Sequence, residues 1–212
     1  VLNMVQIRVD DFIDHLSNIS QDMMYERLIY DVLEDNGIGE RGIYLEKVAE
    51  LKDFLRKTTL SNQEQIKSIC LISNNGIVYP FDINTKDSIR DIIPYQDVLK
   101  KAKEAKGKPI WYLDTADQKV ENIFLARTVS SQDSYQDIGL LAILVNKEFL
   151  SSAYENLSTN TIENIAFLSM DNSVIVSRSD ENLDFLESFW EKKSDQSTGH
   201  YMDQDEKILV SY

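Results

Sequence analysis

The sequence predicts an α+β protein in which a long N-terminal helix precedes two antiparallel-sheet units in tandem. Three observations carry this expectation. Apolar residues step by three and four from the start of the chain, the spacing of one helical face. After residue 64 the period changes to β-branched and aliphatic runs separated by turn residues, the texture of strands. A second strand–turn–strand pattern then follows a helical stretch that begins near residue 147 and repeats that texture.

The helical pattern runs over residues 1–34. Leu2, Val5, Val9, Phe12, Leu16, Ile19 and Met23 form an a/d seam, and one helix of that length would span roughly 50 Å. Beyond Met23 the stripe widens to Met24, Leu28, Ile29, Val32 and Leu33, as where a helix lies on a globular body. The first half reads as a stalk or self-pairing seam and the second half as docked; a long core helix is the alternative. Asn36-Gly37-Ile38-Gly39 stops it, glycine supplying the left-handed cap. A second helix over 44–57 repeats Leu45, Val48, Leu51, Phe54 and Leu55 at helical spacing and completes a helical hairpin.

Residues 65–73 read as a strand, Asn74-Asn75-Gly76 as a tight turn and 77–79 as the partner strand. A loop is expected over 80–93. Pro94 opens a short helix with Val98, Leu99 and Ala102 on one face, and Gly107 ends it. Strands follow at 110–113 and 122–129, then a polar loop over 130–137. The apolar run 138–145 is long enough only for a central strand covered on both faces. A connecting helix is expected over 147–161. Strands at 164–170 and 173–177, an amphipathic helix at 181–190 and a hairpin at 197–202 and 207–212 complete the chain. The expected division is a helical stalk and hairpin (1–60), a first sheet unit (61–150), and a linker helix with a smaller second unit (151–212).

Composition narrows the function. In 212 residues, 42% are hydrophobic and 27% charged, ample for a folded core. A formal net charge of -14 repels nucleic acid and anionic membrane surfaces. Cys70 sits in an apolar run, the setting of a buried inert thiol, and a single cysteine allows no internal disulfide. No stretch reaches the ~20 apolar residues of a membrane span. The chain begins with Val1 and ends at Tyr212 inside a strand pattern. The expectation is an excised piece of a longer protein whose flanks carry the membrane segments.

Residues 69–79, 109–113 and 138–150, in a layout of one long helix followed by two strand–turn–strand units, resemble the double Cache sensor domains. These are the extracytoplasmic regions of bacterial sensor histidine kinases, especially of Gram-positive bacteria, and of chemoreceptors. The resemblance implies PAS-like units, membrane-distal at 61–150 and membrane-proximal at 151–212. It also implies flanking transmembrane helices and a cytoplasmic output module. Members that sense amino acids carry an Arg two residues before a Trp-Tyr pair and an Asp late in the last strand of the distal unit. Trp111 and Tyr112 match the aromatic pair, but Pro109 and Leu144 stand where the two charged groups would be. The clamp for an amino acid is therefore missing, and amino-acid sensing does not carry over.

No P-loop, nucleophile elbow, zinc-protease or dinucleotide motif is present, so the expectation is no enzyme, no cofactor and no metal. Asp11 and His15 share a helix face and suit a metal only with further ligands; Asp203-Gln204-Asp205-Glu206 lacks the glycine of a calcium loop. Trp111 and Tyr112 are adjacent on a strand and point to opposite faces. Arg127 lies in an apolar strand and needs a partner. It reads as a carboxylate anchor in the distal pocket or as an edge-facing, salt-bridged residue. The expected distal site is Tyr79, Trp111, Tyr112, Arg127, Tyr135 and Asp137, with Lys100, Lys101 and Lys103 on its rim drawing in an anionic ligand. Those lysines also complement the dipole of their helix.

The functional expectation is an extracellular, ligand-sensing domain of a bacterial cell-membrane receptor, foremost a two-component histidine kinase. It would bind a small molecule and form a homodimer through Leu2, Val5, Val9, Phe12, Leu16 and Ile19. A chemoreceptor sensor region is the alternative within the family, and an interaction scaffold without a small ligand is the alternative outside it.

Overall fold

The computed structural model describes residues 2–35, 41–82, 89–117, 119–155, 166–168, 174–177, 200–203 and 208–211. Its contacts resolve two units. One contains Val1–Asp11, Thr115–Glu121 and Lys147–Tyr212; the other contains Phe12–Asp114 and Asn122–Asn146.

The long first helix is two helices, α1 (Leu2–Met23) and α2 (Arg27–Asp35). At 3.6 residues per turn, Met23 and Ile29 would lie about 120° apart on a continuous helix. Both are buried, at 2% and 0% exposure, and the chain breaks between them. The break tightens into i→i−3 bonds: the Met24, Tyr25 and Glu26 amides donate to the Gln21, Asp22 and Met23 carbonyls at 2.9, 3.0 and 3.2 Å. The Tyr30 hydroxyl donates to the freed Met24 carbonyl at 2.7 Å. The seam also changes role. Phe12 and Leu16 are buried within the chain at 4% and 0% exposure, so they are core residues rather than a surface for a second copy. Val9 and Ile19 are half-buried, and the side chains of Leu2 and Val5 lie outside the described ones.

Helix α3 (Arg41–Ser61) is longer than its apolar stripe predicts. Local bonds extend it past residue 57. The Thr58 and Thr59 hydroxyls donate to the carbonyls of Phe54 and Leu55 at 3.0 and 2.8 Å, and the Asn62 amide covers the Thr58 carbonyl at 2.8 Å. Lys47 reaches Asp31 at 3.5 Å, linking α3 to α2.

The sheet of this unit contains β1 (Ile66–Ser73), β2 (Val78–Asp82), β3 (Ile110–Ala116), β4 (Lys119–Ser130) and β5 (Asp137–Val145). The order is β2-β1-β5-β4, with β3 against β4. β2, β1, β5 and β4 pair antiparallel through Ile72↔Val78, Cys70↔Ala142 and Ala126↔Ala142. The Asn74-Asn75-Gly76 turn forms as read, Gly76 adopting φ +81°. The loop expected from residue 80 instead starts as strand. Pro80 pairs with Cys70 on an edge strand, where its missing N–H goes unneeded. A single helical turn, α4 (Ile89–Ile92), then anchors through the fully buried Ile89. Helix α5 (Tyr95–Glu104) follows Pro94 as expected.

Side chains alternate across this sheet. Cys70, Ile72, Phe124, Ala126, Leu140, Ala142 and Leu144 form one buried face with Ile89 of α4 and Val98 and Ala102 of α5. The alternate residues Ile69, Leu71, Leu125, Leu141 and Ile143 are buried too. Gly139 belongs to that second set, and a Cβ there would lie 3.0 Å from Leu33 of α2. The second face is therefore the one the long helices cover. On it Tyr79 is 3% exposed and its hydroxyl lies 2.6 Å from that of Tyr44 on α3.

In the other unit, α6 (Glu148–Glu155) is the described part of the expected connecting helix. The Lys147 ammonium donates to the Val120 carbonyl at 2.6 Å. β6 (Ala166–Leu168) and β7 (Val174–Ser177) pair antiparallel, and β7 meets the start of β4 through Lys119↔Val174. β8 (His200–Asp203) and β9 (Ile208–Ser211) form a hairpin. The helix expected at 181–190 and the acidic turn at 204–206 lie outside the described residues. No helix among the described residues is long and apolar enough to cross a membrane.

Two predictions follow from this packing. A Cβ at residue 139 would lie 2.7 Å from the Ile72 carbonyl oxygen, which is backbone and cannot swing away. Gly139→Ala should lower the unfolding free energy by about 1–3 kcal/mol in urea titration; an unchanged midpoint would contradict the close approach. Burial, and then the bond with Tyr44, push the Tyr79 hydroxyl above its ordinary value of 10.0. The unfolded chain therefore releases this proton first. Stability from Tyr79 is complete below pH 10 and falls as pH rises from there toward the folded value. Urea midpoints measured from pH 8 to 11.5 should decline above pH 10, and less steeply in Tyr79→Phe.

Candidate ligand site

Helix α5 places its residues by simple periodicity. Tyr95, Val98, Leu99 and Ala102 fall at i, i+3, i+4 and i+7 and turn toward the sheet, while Lys100, Lys101 and Lys103 stay exposed. The helix ends where Lys106 and Gly107 take φ of 52° and 80°. Pro109 then leads into β3, whose Ile110 and Tyr112 face the same apolar set.

Tyr112 is where this face becomes polar. Its ring tilts 55° against that of Phe124, with centroids 6.5 Å apart. The Lys101 ammonium sits over the ring at 4.7 Å from its centroid, an attraction of about 0.5–1 kcal/mol at such a site. Burial, then the negative charges of Asp97 and Asp114, push the Tyr112 hydroxyl above its ordinary value. Asp114 itself accepts a 3.1 Å hydrogen bond from the Asn122 amide. Burial likewise raises the Tyr95 hydroxyl. Register puts two buried hydroxyls on the same face: Thr128 in line with Ile72 and Leu140, and Ser68 in line with Leu144 and Phe124. The result is a buried apolar face edged by the Tyr112 ring, with two hydroxyls within it and one cation at its rim. Among the described residues no group of three metal-binding side chains comes together.

Of the residues singled out from sequence, Tyr112 and Lys101 come together, and Lys100 and Lys103 flank them on α5. Three others are displaced by strand alternation. Trp111, half-buried, points to the opposite side of β3 from Tyr112. Tyr79 pairs with Leu71 and so faces α3, not α5. Arg127 stands in line with Leu141 and Leu71, also on the helical face, so it cannot anchor a ligand beneath α5. Tyr135 and Asp137 belong to the end of the sheet. Tyr135 is 86% exposed, and Asp137 accepts a 2.9 Å bond from the Ser130 hydroxyl. The loop between these strands borders a hollow of about 220 Å³ lined by Leu33, Glu34, Asn74, Ser131, Ser134 and Ile138. His15 lies 3.1 Å from the Asn62 side-chain oxygen. Sequence reading missed Tyr95, Asp97, Asp114 and Asn122. Only Tyr95 carried a signal, as the first member of the α5 stripe.

No family model and no curated protein matches the chain. Solved structures do. The sensory domain of the Campylobacter jejuni chemoreceptor Tlp3 is 16% identical, with a TM-score of 0.63 over 96% of this chain and 82% of that one. The same receptor's ligand-binding domain in complex with L-valine is 17% identical, with a TM-score of 0.60 over 96% and 81%. The extracellular domain of vpHK1S-Z8, assigned as a histidine kinase, gives 15% identity and a TM-score of 0.61 over 94% and 80%. A domain of a Vibrio parahaemolyticus protein assigned to the sensory box/GGDEF family gives 14% and 0.61 over 96% and 84%. At these identities the likeness is one of fold, and the chain has the fold of these sensor domains, the Cache-type fold its sequence resembles.

Proposed function

We propose that this chain is the extracytoplasmic, ligand-sensing domain of a membrane-anchored bacterial receptor, foremost a two-component histidine kinase, and that it takes its ligand on the α5 face of the β1–β5 sheet. The observation that carries the reading is the Lys101–Tyr112 pair at the rim of an apolar face, within a fold shared with sensory domains. The ligand is a small organic anion. Its apolar body lies against Tyr112 and the sheet, and its charge meets the lysines of α5, a local cationic patch on a chain of net charge -14. The fragment itself is not catalytic. A chemoreceptor would use the same site, and the Tlp3 domain is one that carries L-valine.

Signalling then follows from differential affinity. A ligand that prefers α5 closed on the sheet shifts the population toward that state by the ratio of its two affinities. Helix α1 and strand β4 each begin in one unit and end in the other, and are the elements suited to carry the shift. Pairing of two copies would use Leu2, Val5 and Val9, since Phe12 and Leu16 are already in the core. One observation favours a second reading, a scaffold without a small ligand: ten fully buried residues already pack between α4, α5 and the sheet.

A thermal-shift screen with organic acids, amino acids, sugars and short peptides separates the two. A ligand at 100 times its Kd stabilises by about 2.7 kcal/mol, a shift of several degrees; a flat screen supports the scaffold. For a ligand so found, Gln at Lys100, Lys101 and Lys103 together should weaken binding by roughly 3- to 100-fold and flatten its salt dependence. Unchanged affinity would remove these lysines from the site.

A further inference from the structure

Where β4 pairs with β5, the side chains turned toward the long helices are Leu125, Arg127 and Val129. The two apolar ones are fully buried, and Arg127 stands in line with Leu141 and Leu71, also fully buried. A cation in such a place is ordinarily paired, because removing it from water is costly without a counter-charge. Among the described residues none pairs with it: the Arg127 Nε is sealed from solvent, and no described residue accepts a hydrogen bond from it. Carrying its aliphatic stem over the leucines would explain a buried stem with a wet head, but not a sealed Nε. The residue as a whole is half-buried, so part of it meets solvent. Burial weakens the guanidinium's hold on its proton.

We propose that Arg127 is a binding site for a small oxyanion on the helical side of the sheet, separate from the α5-face site. A planar guanidinium with an unused Nε–H offers the forked donors that a carboxylate or a tetrahedral oxyanion accepts.

The test is the melting temperature of the 212-residue chain in sodium chloride, acetate or sulfate at equal ionic strength. The wild type should rise by ~3–6 °C in at least one oxyanion at about ten times its Kd. Arg127→Gln should abolish that rise while melting no lower than wild type in chloride, since it removes an unpaired buried cation. Arg127→Met, which keeps the stem, serves if the Gln variant does not fold. Lys101→Gln should leave the rise intact. No rise in the wild type, or an equal rise in both Arg127 variants, would overturn the site. A rise lost in Lys101→Gln but kept in the Arg127 variants would place the anion on the α5 face instead.

Discussion

The constraint on which the rest of this fold depends is the two-sided burial of β5. Every residue from Gly139 to Val145 is buried. A strand that is apolar on both sides must be central and must be covered twice. One cover is the pair of α2 and α3, close enough that Gly139 leaves no room for a side chain beneath Leu33. The other is α4 and α5, short elements placed between β2 and β3. The two covers are physically unequal. The helical cover has the 21-residue α3, a tyrosine hydrogen bond from α3 to β2, and an ion pair between α2 and α3. The α5 cover is a ten-residue helix held mainly by an apolar stripe, with its charged side outward. A ligand that has to lift or close something will do so where few bonds must break.

Much of this was legible in the sequence, and the parts that were not share one cause. The strand at residues 138–145, the Asn-Asn-Gly turn and the helix after Pro94 are dictated by local chemistry, and each stands where its residues put it. Register is not local. A one-residue change of frame exchanges the two faces of a strand, and nothing near Arg127 or Tyr79 in the chain tells which face is the helical one. The broken first helix is a milder case. The apolar stripe widens from Met23-Met24 onward, but only the i→i−3 bonds that follow Gln21 show that the chain breaks there. Pro80 looked like a strand terminator because its edge position is a property of the sheet, not of the peptide.

The candidate site shows the same division. Lys101 and Tyr112 were readable as residue types, but their pairing across α5 and β3 is tertiary. Asp97 and Asp114 gain meaning only beside Tyr112, where they hold its proton on. The two cations that the sequence alone would place at one pocket are separated by the sheet: Lys101 lies over an aromatic ring at the rim, and Arg127 lies on the helical face. Fold is shared with chemoreceptor and kinase sensor domains at 15–17% identity, while the candidate site is made of this chain's own residues. That is the ordinary relation between a common scaffold and the particular chemistry mounted on it.

Amide hydrogen exchange, measured with and without a small molecule whose rise in melting temperature survives Arg127→Gln, would locate the binding face. Ligand on the α5 face should slow exchange in α5 (Tyr95–Glu104) and β3 (Ile110–Ala116) more than in α2 or α3. Protection confined to α2 and α3, with α5 and β3 unchanged, would contradict the assignment and move the sensing site to the other side of the sheet.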